Sequence, residues 1–356
     1  MRILALAVLL APPPPDDGFA RGADVSMLLE IEKAGGAFRD GGAAKDALRI
    51  LRDRGVDLFR LRLFVNPSKD FAKNWGATQD LDAVRALAKR IRPLGAKWLL
   101  DFHYSDTWAD PAHQDKPAAW KDLDLAALEK KVEEYTAGVL ADLRKDGVPP
   151  DWVQVGNEIS PGFLWPDGKL AGGAEEQASW DRFARLLKAG IRGARRSPEP
   201  GRVPRIMVHI DRGGDAGATR WFYGRLRERG VEFDLIGLSY YPWWHGPLEN
   251  LRENLHAAAK AFGKDVVVVE TAYPHRGGWK DRKNMDWPVT PEGQKRFLSE
   301  VVRTVREVPE GRGRGVVYWY PEAIPVKGLE VWNGGTTALF DEKGQALPAL
   351  DAFAPR

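Results

Sequence analysis

The sequence predicts an α/β fold, a closed (β/α)8 barrel forming one domain, and three observations carry that expectation. From Phe19 onward, apolar β-like runs alternate with amphipathic helical stretches about eight times, and a regular βα alternation implies a parallel sheet. No glycine-rich GxGxxG turn follows the first of these runs, as a dinucleotide-binding open sheet would require. The length of 356 residues suits one such barrel or two ordinary domains. Neither an internal repeat nor a low-complexity linker divides the chain after Pro15. A doubly wound open sheet is the alternative architecture.

The chain begins with Arg2 and an apolar run from Ile3 to Ala11. This pattern resembles a short secretory signal and is too short to span a bilayer as a helix. Pro12 to Pro15 stand where a small-residue cleavage site is expected, and such a proline run forms an extended tether. Residues 1–18 are therefore expected to be a signal and tether, and residues 19–356 the single folded domain of a secreted or periplasmic protein. The predicted strands follow at 19–26, 58–65, 96–103, 152–157, 205–210, 234–240, 265–271 and 315–319. Amphipathic stretches at 80–92, 125–144, 175–195 and 294–307 supply helices between them. Within the second of these, the alternating charges of Glu129-Lys-Lys-Val-Glu-Glu134 read as a solvated helix face.

Composition narrows the function. The net charge of +3 is small, with basic residues scattered among comparable numbers of acids. A nucleic-acid footprint needs clustered basic residues on one face, so no nucleic-acid partner is expected. No membrane partner is expected either, and the protein is expected to be a monomer. Absence of cysteine removes disulfides, thiol chemistry and an N-terminal lipid-modified cysteine. The 14 tryptophans are more telling, because several fall in predicted loops. Indole rings stack on the flat C–H faces of sugars, although about half of these tryptophans read as core residues.

Catalytic groups of such barrels sit at the C-terminal ends of the strands. Arg60, Arg62, His103, Asn157, Glu158, His209, Tyr240, Glu270 and Trp319 all gather there, whereas the same strands begin with bland apolar or turn residues. Glu158 follows the run Trp152-Val-Gln-Val155, and Glu270 ends Val266-Val-Val-Val269. Either glutamate alone could be a buried ion-paired carboxylate. Two of them facing one cleft are the equipment for splitting a glycosidic bond. His103, His209 and His245 are too dispersed in sequence to suggest a zinc motif. Arg60 and Arg62, two apart, share one strand face; either could support a carboxylate in the cleft or hold a structural salt bridge.

Particular motifs resemble a known family. Asp101-Phe-His-Tyr-Ser-Asp-Thr-Trp-Ala-Asp-Pro111, Gly156-Asn-Glu158, Gly237-Leu-Ser-Tyr-Tyr-Pro242 with His245-Gly246, and Glu270-Thr-Ala-Tyr273 are similar to those of arabinogalactan endo-β-1,4-galactanases. These form glycoside hydrolase family 53 in the retaining (β/α)8 clan. Gly22-Ala-Asp-Val-Ser26 and Arg60-Leu-Arg-Leu-Phe-Val-Asn-Pro67 extend the likeness over roughly residues 20 to 342.

The resemblance implies Glu158 as general acid/base and Glu270 as nucleophile, their carboxyl groups about 5–5.5 Å apart. It implies Asn157 on the sugar 2-hydroxyl, and Tyr240 or Tyr241 as donor to Glu270. Asp24, Arg60, Arg62, His103, Asp106, Trp108, His209, Tyr240, Trp244 and Trp319 are the further substrate-side residues. Trp319 is the candidate floor, with Trp108, Trp165, Trp243, Trp244 and Trp332 as candidate outer subsites. Asp106 and Asp110 either cap the Trp108 loop or bind hydroxyls.

The implied substrate is the galactan of pectin, or type I arabinogalactan. A retaining mannanase or cellulase, or a non-catalytic carbohydrate-binding barrel, is the alternative. No cofactor is expected. Some bacterial relatives carry calcium after the seventh strand, where this chain has Asp281, Asn284 and Asp286 among opposing cations. One departure stands out: the family usually reads Trp-Glu-Pro-Ala-Trp after the eighth strand, but this chain reads Trp319-Tyr-Pro-Glu-Ala323 and then Ile324.

Overall fold

The computed structural model describes residues 18–196, 203–277 and 283–354. The apolar run and proline tether read at the N-terminus, and Asp281 of the calcium reading, lie outside the described residues. Eight strands form a closed parallel barrel: β1 Ala20–Asp24, β2 Leu58–Leu63, β3 Lys97–Phe102, β4 Trp152–Val155, β5 Arg205–Ile210, β6 Leu235–Tyr240, β7 Asp265–Thr271 and β8 Gly313–Trp319. Each pairs with its sequence neighbours, and β1 pairs with both β2 and β8. The expected (β/α)8 barrel is the observed fold.

Helices α1 Ala47–Asp53, α2 Leu81–Ile91, α3 Leu125–Lys145, α4 Glu176–Arg195, α5 Ala216–Glu228, α6 Leu248–Phe262 and α7 Pro291–Arg306 lie between the strands. After β8 a 3-10 segment, Pro348–Phe353, takes the helix position and packs on α7. Several helices start where a short polar side chain can accept an orphan backbone N–H. Asp46, Asp80, Asp124, Asp215 and Thr290 each accept from the amide three residues on.

Strand alternation sorts the core into two shells. Phe59, Leu61, Trp98, Leu100, Val153, Val155, Ile206 and Val208 belong to the large cluster shared with the helices. The opposite phase fills the barrel: Ala20, Leu58, Leu99, Trp152, Met207, Leu235, Val267, Val269 and Val317 form a separate apolar cluster. There is no spare room in it. A Cβ on Gly22 would stand 2.5 Å from Val317 Cγ2, and one on Gly237 would stand 2.7 Å from Met207 Sδ.

One step further along the same inward phase, the apolar plug gives way to Arg60, Asp101, Gln154, His209 and, on β6, Ser239. All are buried. The barrel thus carries a greasy base and a polar upper layer, and the cleft lies above that layer.

The first four strands end one to two residues earlier than the apolar pattern suggests. Gly156, at φ 83°, and Glu158, at φ 48°, turn the chain out of the β4 ladder, as Tyr104, at φ 50°, does after β3. Asn157 and Glu158, which leave the β4 ladder here, are brought to the cleft.

Candidate active site

A cavity of about 870 Å³ opens at the C-terminal ends of the strands. Glu158 and Glu270 both line it, together with Arg62, His103, Trp108, Asn157, Tyr241, Trp244 and Trp319. Trp75, Asp110, Tyr320 and Trp332 complete much of the wall.

Arg60 anchors the polar layer from β2. Its Nη1 donates to Glu270 Oε1 at 2.7 Å and to Asp24 Oδ2 at 3.1 Å. Its Nη2 donates to Asp101 Oδ2 at 2.7 Å, to Asn157 Oδ1 at 2.8 Å and to Gln154 Oε1 at 3.3 Å. Burial alone would weaken the guanidinium's hold on its proton, but the carboxylates of Asp101, Glu270 and Asp24 more than offset it, so the charge is firmly kept. A cation this deep is tolerable only with such pairing, and removing one partner of a buried pair costs about 3–5 kcal/mol.

Glu270 is held at both oxygens, since Oε2 accepts from the Tyr241 hydroxyl at 3.1 Å. Burial pushes its carboxyl up, and the Arg60 charge opposes that shift. Tyr241 stays a phenol because burial, and then the charge of Glu270, raise its own pKa well above the ordinary value.

Glu158 has no cation of this kind. Its Oε1 accepts from Ser239 Oγ at 2.6 Å, and Ser239 Oγ is 2.8 Å from His209 Nε2. Burial first, then the charges of Glu270 and Asp211, raise its carboxyl well above the usual range despite the Ser239 hydrogen bond. Of two coupled carboxyls, the one with the arginine loses its proton first. The arrangement favours ionisation of Glu270 ahead of Glu158, an order suited to acid-assisted displacement.

The floor is aromatic. The Trp319 and Tyr320 ring centroids are 3.9 Å apart, and Trp332 meets Trp319 edge-on at 4.6 Å. The Arg62 guanidinium lies 4.5 Å from the Tyr320 ring centroid and 4.7 Å from that of Trp108, with Asp24 Oδ1 at 3.8 Å. Tyr320 stands where the family pattern places a glutamate. Two residues on, Glu322 is fully buried, with Oε1 accepting from the Met27 amide at 2.9 Å.

A model of glycosyl hydrolase family 53 matches residues 20–353. The chain belongs to that family. It is 44% identical over 95% of its length to a Niallia circulans protein described as "Uncharacterized protein in bgaB 5'region", covering 94% of that protein. It is 36% identical to the arabinogalactan endo-beta-1,4-galactanase of Thermothelomyces thermophilus, covering 94% of this chain and 98% of that one. Among solved structures, the Ignisphaera aggregans GH53 catalytic domain superposes with a TM-score of 0.86 at 32% identity, covering 97% of this chain and 98% of the other.

Within this family 53 barrel, the residues expected on the substrate side divide into two sets. Arg62, His103, Trp108, Asn157, Trp244 and Trp319 line the cavity. His103 Nδ1 accepts from the Ala109 amide at 3.1 Å, and its Nε2 lies 3.1 Å from Asp101 Oδ2. Asn157 gives one amide hydrogen to the Ala109 carbonyl at 2.8 Å.

Asp24, Arg60, Asp106, His209 and Tyr240 do not line it. Asp24 spends its oxygens on Ser26 and Arg60 beneath the floor. Asp106 caps the loops, accepting from the Asn66 and Ala118 amides at 2.9 Å each. His209 is buried between Ser239, Asn157 and Gln154, and burial with the nearby Arg60 charge keeps it neutral. Tyr240 points away, donating to the Gly246 carbonyl at 3.0 Å and stacking on Phe297. Of the outer-subsite candidates, Trp165 and Trp243 also stand outside the lining, while Trp332 joins it.

Asp101, Gln154, Ser239 and Trp75 were not singled out from the sequence. The first three had a usable signal: each is a lone polar residue inside an apolar strand run, where a buried parallel strand should be continuously hydrophobic. Among the described residues, no three His, Cys, Asp or Glu side chains cluster as a metal site. No helix among them is long and apolar enough to cross a membrane. Asn284 of the calcium reading donates to the Pro242 carbonyl at 3.3 Å.

Proposed function

We propose that this chain is an endo-acting β-1,4-galactanase that cuts pectic galactan and type I arabinogalactan with retention of configuration. The observation that carries the reading is the unequal support of two glutamates in one cavity. Glu270 is gripped by Arg60 and Tyr241, whereas Glu158 is held only by a hydroxyl. In this reading Glu270 attacks the anomeric carbon while protonated Glu158 gives its proton to the departing glycosidic oxygen. Glu158, now a carboxylate, takes a proton from water, and that water releases the sugar from Glu270. Asn157 has an amide hydrogen left over after Ala109, placed for the 2-hydroxyl of the sugar. The galactanase names of the relatives support the choice of substrate.

The same reading makes the protein an exported monomer that works without a cofactor, since a polymer must be met outside the cell and the two carboxylates suffice for the chemistry. Incubation with galactan, mannan and carboxymethyl cellulose tests it. Reducing ends should appear from galactan well ahead of the other two. Equal or faster release from mannan or the cellulose derivative would move the enzyme to the corresponding class, and binding without release at any pH would make it a binding barrel.

A further inference from the structure

Trp75 is the most exposed large apolar side chain among the described residues, at 77%, yet it lines the same cavity as the two glutamates. A loop residue left this open is commonly mobile, but here the backbone beneath the ring is tied down. The Trp75 carbonyl accepts from the Trp108 indole N–H at 2.8 Å. Its neighbour Asn74 donates to the Asp106 carbonyl at 3.0 Å, and the Gly76 amide donates to the Phe71 carbonyl at 3.0 Å. Trp75 itself sits at φ 49°, a backbone setting that bulky residues avoid. The loop therefore holds an indole face outward in a disfavoured conformation rather than folding it away.

Position gives the ring a purpose. Trp75 follows β2 and Trp244, 57% exposed, follows β6. In a closed ring of eight strands β2 and β6 lie diametrically opposite. β4, which precedes Glu158, and β7, which carries Glu270, fall on either side of the line that joins β2 and β6, and both glutamates line the cavity with the two indoles. The third large exposed aromatic, Trp221, packs on Trp180, away from the cavity. A sugar polymer crossing the glutamates from one indole toward the other would meet a flat apolar platform at each end. The axial 4-hydroxyl of galactose leaves the C–H bonds at C3, C4 and C5 together on one ring face, a surface matched to an indole.

We propose that Trp75 is an outer stacking subsite for a galactosyl unit of the polymer, away from the scissile bond and opposite Trp244. The proposal rests on the galactanase reading above and specifies where the chain is gripped.

The test compares wild type, Trp75→Ala and Trp75→Phe on polymeric galactan and on galactotriose, with thermal melts to verify folding. Loss of the platform should raise KM for the polymer roughly tenfold, the equivalent of one aromatic contact. The effect should be much smaller on the trisaccharide, Trp75→Phe should recover most of it, and the early product lengths should shift. A Trp75→Ala enzyme with wild-type KM and product lengths on the polymer overturns the subsite. So does an equal loss on both substrates, which would mark a structural role. Wild type that fails to cut galactan would reject the galactanase reading instead, a result separate from either.

Discussion

Arg60 Nη1 lies 2.7 Å from Glu270 Oε1 and shares itself with Asp24 Oδ2 at 3.1 Å, so one nitrogen links a cleft carboxylate to one beneath the floor. The other nitrogen reaches Asp101 and Asn157. One planar fork therefore favours the charged form of Glu270 and holds Asn157 in position, which a lysine's point charge cannot do at once.

Replacing Arg60 separates these roles. Arg60→Met strands Asp101 and Glu270 without that cation and leaves Asp24 only Arg62 at 3.8 Å, so it should destabilise the fold by about 3–5 kcal/mol. Arg60→Lys keeps a charge and should retain more of the stability. Both should lose roughly 10²–10³-fold or more in kcat, the scale of one misplaced electrostatic donor. Denaturant melts and galactan kinetics on the two variants check this, and wild-type kcat in Arg60→Lys would contradict it.

The Ser239 hydroxyl is the group that opposes the rise in Glu158's pKa. It donates to the charged form, so its removal should push that pKa higher still. Ser239→Ala should move the alkaline limb of the kcat/KM profile up by about one pH unit, the equivalent of one hydrogen bond to a charged group. The acid limb, which reports Glu270, should move less. An alkaline limb displaced downward would show that Ser239 does not serve Glu158 in this way.

Much of this site was legible because a strand's period is two. Glu158 and Glu270 stood out as acids at the ends of apolar runs, and the eight runs located the barrel. What failed was depth along the barrel axis. Arg60 and Arg62 share a face, but only the stacking of layers puts Arg60 under the floor with Glu270 and Arg62 against the Trp108 and Tyr320 rings.

The choice between Tyr240 and Tyr241 was also open. Ser239 points inward, so parity turns Tyr240 out toward Phe297 and brings Tyr241 to Glu270. A register shift between Leu238 and Ser239 lies at the point where that parity had to be counted. Trp75 was invisible for another reason: its exposure depends on loop ties to Trp108 that no periodic pattern encodes.

Glu322 offers a pH signature in stability. Burial, then the charge of Asp24, raise its folded pKa to about 8, against about 4.3 in an unfolded chain. The folded state thus holds the proton longer, so stability falls as pH climbs between those values, by at most about 1.4 kcal/mol per pH unit, and levels off above pH 8. Glu322→Gln keeps an oxygen for the Met27 amide and removes the titration. The variant and wild type should melt together near pH 4, with the variant increasingly the more stable toward pH 8. Parallel Tm curves across that range would show that Glu322 does not titrate there.

The roles of Glu158 and Glu270 can be read from stereochemistry. On the proposed roles Glu158→Ala removes the acid but leaves the nucleophile, so an aryl β-galactobioside with a good leaving group should still load Glu270. Without a base to activate water the loaded enzyme should turn over slowly, and azide should release it. Two displacements at one carbon restore the starting configuration, so the product should be the β-glycosyl azide. In Glu270→Ala, azide enters the space of the missing carboxylate and attacks the substrate directly, so one displacement should give the α-azide. Arg60 favours this second rescue, because in the wild type its Nη1 faces Glu270 Oε1 at 2.7 Å and would there face an incoming anion. NMR of the anomeric proton distinguishes the two products. The opposite pair of anomers would exchange the two roles, and the α-azide from both variants would exclude the covalent route through Glu270.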